Sequence, residues 1–177
     1  PWKHAAISGW ILDPDRKKMS KSKGNVVVPN EILETHGSDA VRYWAASARL
    51  GTDAAFDEGQ MKIGRRLAIK LLNAARFALS FELPAGVTTV TEAIDKSMLA
   101  SLQEVIVRST QAFESYDHTK ALEKAESFFW TFTDDYLELV KERAYGQGDF
   151  TEQEKGSAVI ALRQALGVLV RLFAPFI

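Results

Sequence analysis

A chain of 177 residues, 46% hydrophobic and with a net charge of −1, is long enough for one well-cored domain and a small appendage. It has no cysteine, which excludes a disulfide framework and a thiolate metal site, and its three histidines (His4, His36, His118) lie too far apart in sequence to suggest a ligand set. No apolar run is expected to reach the roughly 20 residues of a membrane span, and no basic start leads into an apolar stretch, so the composition reads as a soluble, cytoplasmic protein with no membrane partner. The near-neutral total hides an asymmetry. Residues 1–80 carry 13 Lys and Arg against 8 Asp and Glu, a balance of +5, whereas residues 81–177 carry 9 against 15, a balance of −6. A polyanion is therefore expected to approach the first half.

In chain order, Ala5 to Leu12 reads as a strand ended by the turn Asp13-Pro14-Asp15. The run Lys17-Lys18-Met19-Ser20-Lys21-Ser22-Lys23-Gly24-Asn25 follows, with four lysines and two serines on a short loop closed by a Gly-Asn turn. Lysines are flexible point charges, and hydroxyls and turn N–H groups add donors, so the loop is suited to a polyphosphate; a solvated basic loop or a nucleic-acid tag is the plainer reading. Val26 to Val28 is β-branched, and Pro29 blocks continuation of a ladder. Asn30 is placed to cap a helix over Glu31 to His36 that stops at Gly37 in the left-handed region, and Ser38 to cap a second over Asp39 to about Ala48.

From Asp57 the pattern changes to long helices: 57–80, about 91–116, about 119–145, and one from Thr151 toward Pro175. The last opens with the Thr151 to Glu154 spacing of a capping box. The connectors at Pro84-Ala85-Gly86, Tyr116-Asp117-His118 and Gly146-Gln147-Gly148 are short enough to set neighbours antiparallel. The expected fold is mainly α: an antiparallel helical bundle over 56–177, preceded by a small strand-loop-helix unit over 1–55.

The first bundle helix has two unlike sides. Leu67, Ala68, Leu71, Leu72, Ala75, Ala78 and Leu79 recur at core-facing intervals. Arg66, Lys70, Asn73 and Phe77 share the other side, with Arg65 and Arg76 beside them. Cations, an amide and a ring on one face suit unpaired nucleotides; a solvated face with Phe77 turned into a neighbouring helix is the structural alternative. The aromatics Phe128, Phe129, Trp130, Phe132 and Tyr136 of the third helix read as core, and Asp134, Asp135, Glu138, Lys141 and Arg143 as helix-face charges.

Lys18 to Ser22 spell KMSKS, with Gly24-Asn25 following, and this resembles the signature loop of class I aminoacyl-tRNA synthetases. The resemblance implies that Lys18, Met19, Ser20, Lys21 and Ser22 bind ATP, with Mg²⁺ accompanying the nucleotide, and that Lys18 and Lys21 stabilise charge developing on the pyrophosphate leaving group. The stretches Asn25 to Leu79 and Phe128 to Lys141 are similar to the stem-contact and anticodon-binding regions of the valine, isoleucine and leucine subgroup. Leu72-Asn73-Ala74-Ala75-Arg76-Phe77 and Gly51-Thr52-Asp53 are nearest the valine-specific branch, with the isoleucine-specific branch as the alternative.

The implied fold is a helical anticodon-binding domain, the implied partner is the anticodon arm of a tRNA, and the residues matching the reading face are Arg66, Lys70, Asn73, Arg76 and Phe77. The family's His-x-Gly-His motif has no counterpart here, and the amino-acid pocket is missing. Pro1 and the apolar ending Ala174-Pro175-Phe176-Ile177 read as cut ends. The expectation is a piece of a longer ligase that lacks its N-terminal catalytic domain and does not aminoacylate alone. A non-catalytic helical RNA-binding module that uses the lysine loop as a phosphate clamp is the reading from a different class.

Overall fold

The computed structural model describes residues 1–177. Its secondary structure is almost entirely helical. Strand β1 (Ile11–Leu12) pairs in parallel with β2 (Ala54–Ala55), and its Leu12 also forms a single antiparallel bridge with Lys18. The helices are α1 (Pro29–His36), α2 (Ser38–Ala46), α3 (Glu58–Ser80), α4 (Ala93–Glu114), α5 (His118–Thr131), α6 (Leu137–Tyr145) and α7 (Glu152–Phe173).

The first unit differs from its sequence reading at its boundaries. Strand structure is confined to Ile11 and Leu12, because the partner that completes it lies 43 residues on, at Ala54 and Ala55. Helix α1 starts at Pro29, one residue before Asn30, with Val28 as the extended flanking residue and no side-chain cap. Proline suits the first helical position, since its missing N–H has no intrahelical partner there and its φ is already helical. Gly37, not Ser38, flanks the start of α2, at φ 85° and ψ 161°, a region only glycine enters without strain.

In the bundle, α7 is the central helix and packs against α3, α4, α5 and α6. By length and composition it is apolar enough to cross a membrane, contrary to the sequence expectation, and its central position accounts for that. Ten of its residues are buried, among them Leu162, Leu169 and Phe173. The expected capping box is present: Thr151 Oγ1 accepts from Glu154 N (3.3 Å) and Glu154 Oε2 accepts from Thr151 N (2.8 Å). Asp57 caps α3 by accepting from Gly59 N and Gln60 N.

The third bundle helix is not continuous. Residues Phe132–Tyr136 form a π-helical turn between α5 and α6. Within it Phe132, Thr133 and Tyr136 are buried, while Asp134 and Asp135 face outward. Tyr136 reaches the main polar feature of the core. Asp95, fully buried at the start of α4, accepts from Tyr136 Oη (2.8 Å), Ser157 Oγ (2.6 Å) and both guanidinium nitrogens of Arg143 (2.7 and 2.9 Å). Arg143 also donates to the Glu154 carbonyl, and Ser157 Oγ accepts from Thr91 N and Glu92 N. Arg143 is thus a buried residue and not the helix-face charge its position beside Lys141 suggests.

Burial pushes the Asp95 carboxyl up, but the hydrogen bonds from Arg143, Ser157 and Tyr136 outweigh it and hold the group below its ordinary value. A depressed carboxylate contributes stability that is complete above its unfolded value and is lost as the pH falls through the folded one. Arg143→Met leaves a buried charge with only neutral donors, and unfolding in urea at neutral pH is expected to show a loss of ~3–5 kcal/mol. The gap from the parent chain is expected to narrow below the ordinary Asp value of 3.8, where Asp95 of the variant is protonated. An unchanged gap at acid pH would show that the carboxylate is not the cause.

Candidate nucleotide and RNA interface

The lysine loop is anchored from two sides. Asp13, buried directly after β1, accepts from Lys17 N and from Asn25 Nδ2, each at 2.7 Å. Asn25 Oδ1 accepts from Ser20 N (2.9 Å), and its Nδ2 also approaches the Lys18 carbonyl (3.3 Å). These bonds, Asn25 first, hold the Asp13 carboxyl below its usual range. Lys21–Lys23 form a single 3₁₀ turn that ends at Gly24 (φ 68°). Asp13 and Asn25 thus fix the ends of the loop, whereas in sequence they read only as parts of two separate turns. No spacing rule pairs two residues 12 apart through their side chains.

On that frame Lys18 lies 4.5 Å over the ring of Trp10, Ser20 and Ser22 share a hydroxyl hydrogen bond of 2.7 Å, and Lys17 meets Asp15 at 3.4 Å. Lys21 and Lys23 are exposed and make no ion pair. Three features define the anion-seeking part of the loop: two free ammonium groups, a third that only an exposed ring holds, and two hydroxyls. Met19, between Lys18 and Ser20 in the chain, is half-buried.

The face of α3 is rotated from its sequence reading. Its buried residues are Met61, Gly64, Leu67, Ala74 and Ala78, while Leu72 and Leu79 are 51% and 62% exposed. Arg66, Asn73 and Arg76 are exposed as expected, and Lys70 is half-buried. Lys70 is paired with Asp134 of the π turn at 3.0 Å, which lowers the Asp134 pKa. Arg66 lies 5.7 Å from the ring centroid of Trp130 on α5. Phe77 is half-buried, edge-on to Phe81 (4.8 Å between centroids) and to Tyr145 (6.0 Å). The structure therefore groups Arg66 and Lys70 with α5 and the π turn, leaves Asn73 and Arg76 open, and sets Phe77 in an aromatic cluster.

The loop-bearing unit meets the bundle across α2 and α3. Tyr43 Oη donates to Glu126 Oε2 (2.7 Å), and the other carboxylate oxygen accepts from Trp130 Nε1 (3.2 Å). Burial and the neighbouring Glu126 push the Tyr43 pKa up, so its hydroxyl stays a donor. Gly64 lets α3 approach the Tyr43 side chain directly: a Cβ there would fall 2.5 Å from Tyr43 Cβ. Arg42 donates to the Pro175 carbonyl (3.0 Å), and His118 Nε2 lies 3.0 Å from the Ala48 carbonyl oxygen. Because Phe77 is part of the packing, Phe77→Ala is expected to cost ~2–3 kcal/mol, less than a fully buried ring, in a chemical-denaturation curve. Arg76→Ala is expected to leave that curve within ~0.5 kcal/mol. The opposite ranking would mean that the cluster contributes nothing.

Two family models match the chain: tRNA synthetases class I (I, L, M and V) over residues 1–57, and the anticodon-binding domain of tRNA ligase over residues 95–177. Residues 66–77 fall between the two matches. The valine–tRNA ligase of Thermobifida fusca is 66% identical over 180 residues, and that of Leifsonia xyli subsp. xyli 64%; these matches cover 100% and 99% of this chain. The chain spans about a fifth of their length, 20% in each case. Among solved structures, Mycobacterium tuberculosis methionyl-tRNA synthetase bound by methionyl-adenylate aligns over 94% of this chain and 34% of its own, with a TM-score of 0.73 at 22% identity. A ternary LeuRS–tRNA–LeuAMS complex from Agrobacterium radiobacter K84 aligns over 95% of this chain and 22% of its own, with a TM-score of 0.63 at 18% identity. At these identities the structures speak for the fold alone. The chain belongs to the class I tRNA synthetases, and within them its sequence stands with the valine–tRNA ligases.

Proposed function

We propose that this chain is the part of a valine–tRNA ligase that closes on ATP and grips the tRNA, within a longer enzyme that activates valine and transfers it to its tRNA in the cytosol. The observation that carries this reading is the KMSKS loop on its Asp13–Asn25 frame, joined through α2 to a helical bundle of anticodon-binding type. Residues 1–55 form the end of the nucleotide-binding fold with the stem-contact helices, and residues 56–177 form the anticodon-binding bundle.

In this reading Lys18, Met19, Ser20, Lys21 and Ser22 meet the triphosphate. Activation of valine breaks the α,β-phosphate bond and leaves negative charge on pyrophosphate, and ammonium groups aimed there lower the barrier by opposing that charge as it develops. Lys21 is free to do this, while Lys18 first has to leave the Trp10 ring. Mg²⁺ comes with ATP as part of the substrate. The rest of the catalytic site is supplied by parts of the enzyme outside this chain. On the bundle, Arg66, Lys70, Asn73, Arg76 and Phe77 are assigned to the anticodon arm. Arg76 serves phosphates and Asn73 a base edge, whereas Lys70 is partly neutralised by Asp134 and Phe77 is restricted by its cluster.

The test is Lys21→Ala in the full-length enzyme. Valine-dependent ATP–pyrophosphate exchange is expected to slow by about 10²- to 10³-fold, the scale seen when one donor to a developing anion is lost, with tRNA affinity unchanged within about twofold. Equal losses in both assays would move the loop from catalysis to tRNA binding and favour the RNA-module reading. Charging with isoleucine but not valine would overturn the amino-acid assignment.

A further inference from the structure

The α3 face lacks a free ring, because Phe77 is engaged by Phe81 and Tyr145, which in turn pack on one another at 4.9 Å. A different aromatic side chain occupies the adjoining position. Trp130 of α5 is half-buried, and the Arg66 guanidinium rests over its ring at 5.7 Å. The indole is fixed in orientation, since its Nε1–H donates to Glu126 Oε1 while Tyr43 holds the other oxygen of the same carboxylate.

We propose that Trp130 is a nucleobase-stacking residue of this interface, with Arg66 as its removable cover and Glu126 as the positioning residue that locks the indole. The proposal rests on the reading of the α3 face as the RNA contact.

The local charge favours a base over a phosphate at this spot. Lys70 is paired with Asp134, and the indole lies between one cation, Arg66 over its ring, and one carboxylate, Glu126 at its N–H, so the formal charges around it balance. Arg76, further along α3, is exposed and makes no ion pair and is left for a phosphate, whereas Arg65 donates to the Thr35 carbonyl of α1 (3.3 Å). Arg66 is exposed, and a guanidinium that leaves a half-buried ring for a phosphate exchanges one weak contact for a charge-assisted one. Its departure uncovers an aromatic surface for the adjacent base. Trp is the best stacking side chain for this role, and a clamped indole loses little conformational freedom when a base arrives.

The test titrates the 177-residue chain with an anticodon stem-loop transcript of a valine-accepting tRNA, and with transcripts made abasic at each anticodon position in turn. Trp130→Leu is expected to weaken binding to the intact hairpin by about 5- to 100-fold, the equivalent of losing one stacked base, with no change in the salt slope. Against the hairpin that is abasic at the stacked position, the same variant is expected to cost less than about twofold. Glu126→Ala is expected to weaken binding severalfold, and Glu126→Gln to restore it, since a glutamine can accept from the indole N–H and donate to the Tyr43 hydroxyl.

Equal binding by Trp130→Leu and the parent chain on every hairpin would overturn the proposal. If Arg76→Ala still weakens binding and flattens the salt slope in that case, the reading of the face survives; if Arg76→Ala is also neutral, both fall. A uniform loss on all hairpins would assign Trp130 to packing and overturn the proposal as well. If Trp130→Leu does not fold, the abasic series is run on Trp130→Phe: a reduced penalty for one abasic position relative to the parent supports stacking, and identical penalties overturn it.

Discussion

The bundle is organised around a carboxylate that cannot be exposed without dismantling it. Asp95 binds Arg143 of α6, Tyr136 of the π turn and Ser157 of α7, and Ser157 in turn holds the backbone that leads into α4. Four segments are thus fixed to one point by groups that must stay together, because separating any one leaves a buried polar atom unpaired. Apolar packing alone admits several rotations of a helix about its axis at similar cost. A fully bonded polar node admits one, and it selects the register in which the π turn places Asp134 beside α3.

That register carries over to the interface. The π turn that contains the inward-facing Tyr136 also carries Asp134, paired with Lys70, and Trp130 sits one turn earlier under Arg66. The electrostatics of the α3 face are therefore decided partly on α5. Of the cations that make the first half of the chain positive, Lys70 is partly neutralised by a carboxylate of the second half and Arg65 is turned to the Thr35 carbonyl, whereas Lys21, Lys23 and Arg76 remain available. The free charge is divided between the loop and the outer part of α3, with a near-neutral aromatic patch between Arg66 and α5.

The sequence made legible those features that depend on neighbours along the chain. The capping box at Thr151 and Glu154 and the short connectors after α4 and α6 are local chemistry and are where the letters place them, whereas α3 and α4 are separated by residues 81–92. The KMSKS run was legible for two reasons: its lysines and hydroxyls mark an anion-seeking loop, and the order of its letters matches a known one. What depended on distant partners was not legible. The two-residue strand needed Ala54 and Ala55, and Asp13 needed Asn25. The faces of α3 came out rotated because Leu72 and Leu79 satisfy a core periodicity that the actual packing, centred on Leu67, Ala74 and Ala78, does not use. A π turn has no letter code of its own, and Arg143 resembles a surface charge until its buried partner is known.

The contact at Gly64 has a mechanical consequence. Between most packed helices lies a layer of side chains that can rearrange their rotamers and let the helices slip by fractions of an ångström. Here α3 meets the Tyr43 side chain with no side chain of its own at the crossing, and the Tyr43 hydroxyl is tied to Glu126 on the far side. Such a crossing has nothing compressible in it. The loop-bearing unit and the bundle therefore share a crossing point with no room for even one added methyl group, since a Cβ at position 64 would fall inside the Tyr43 side chain.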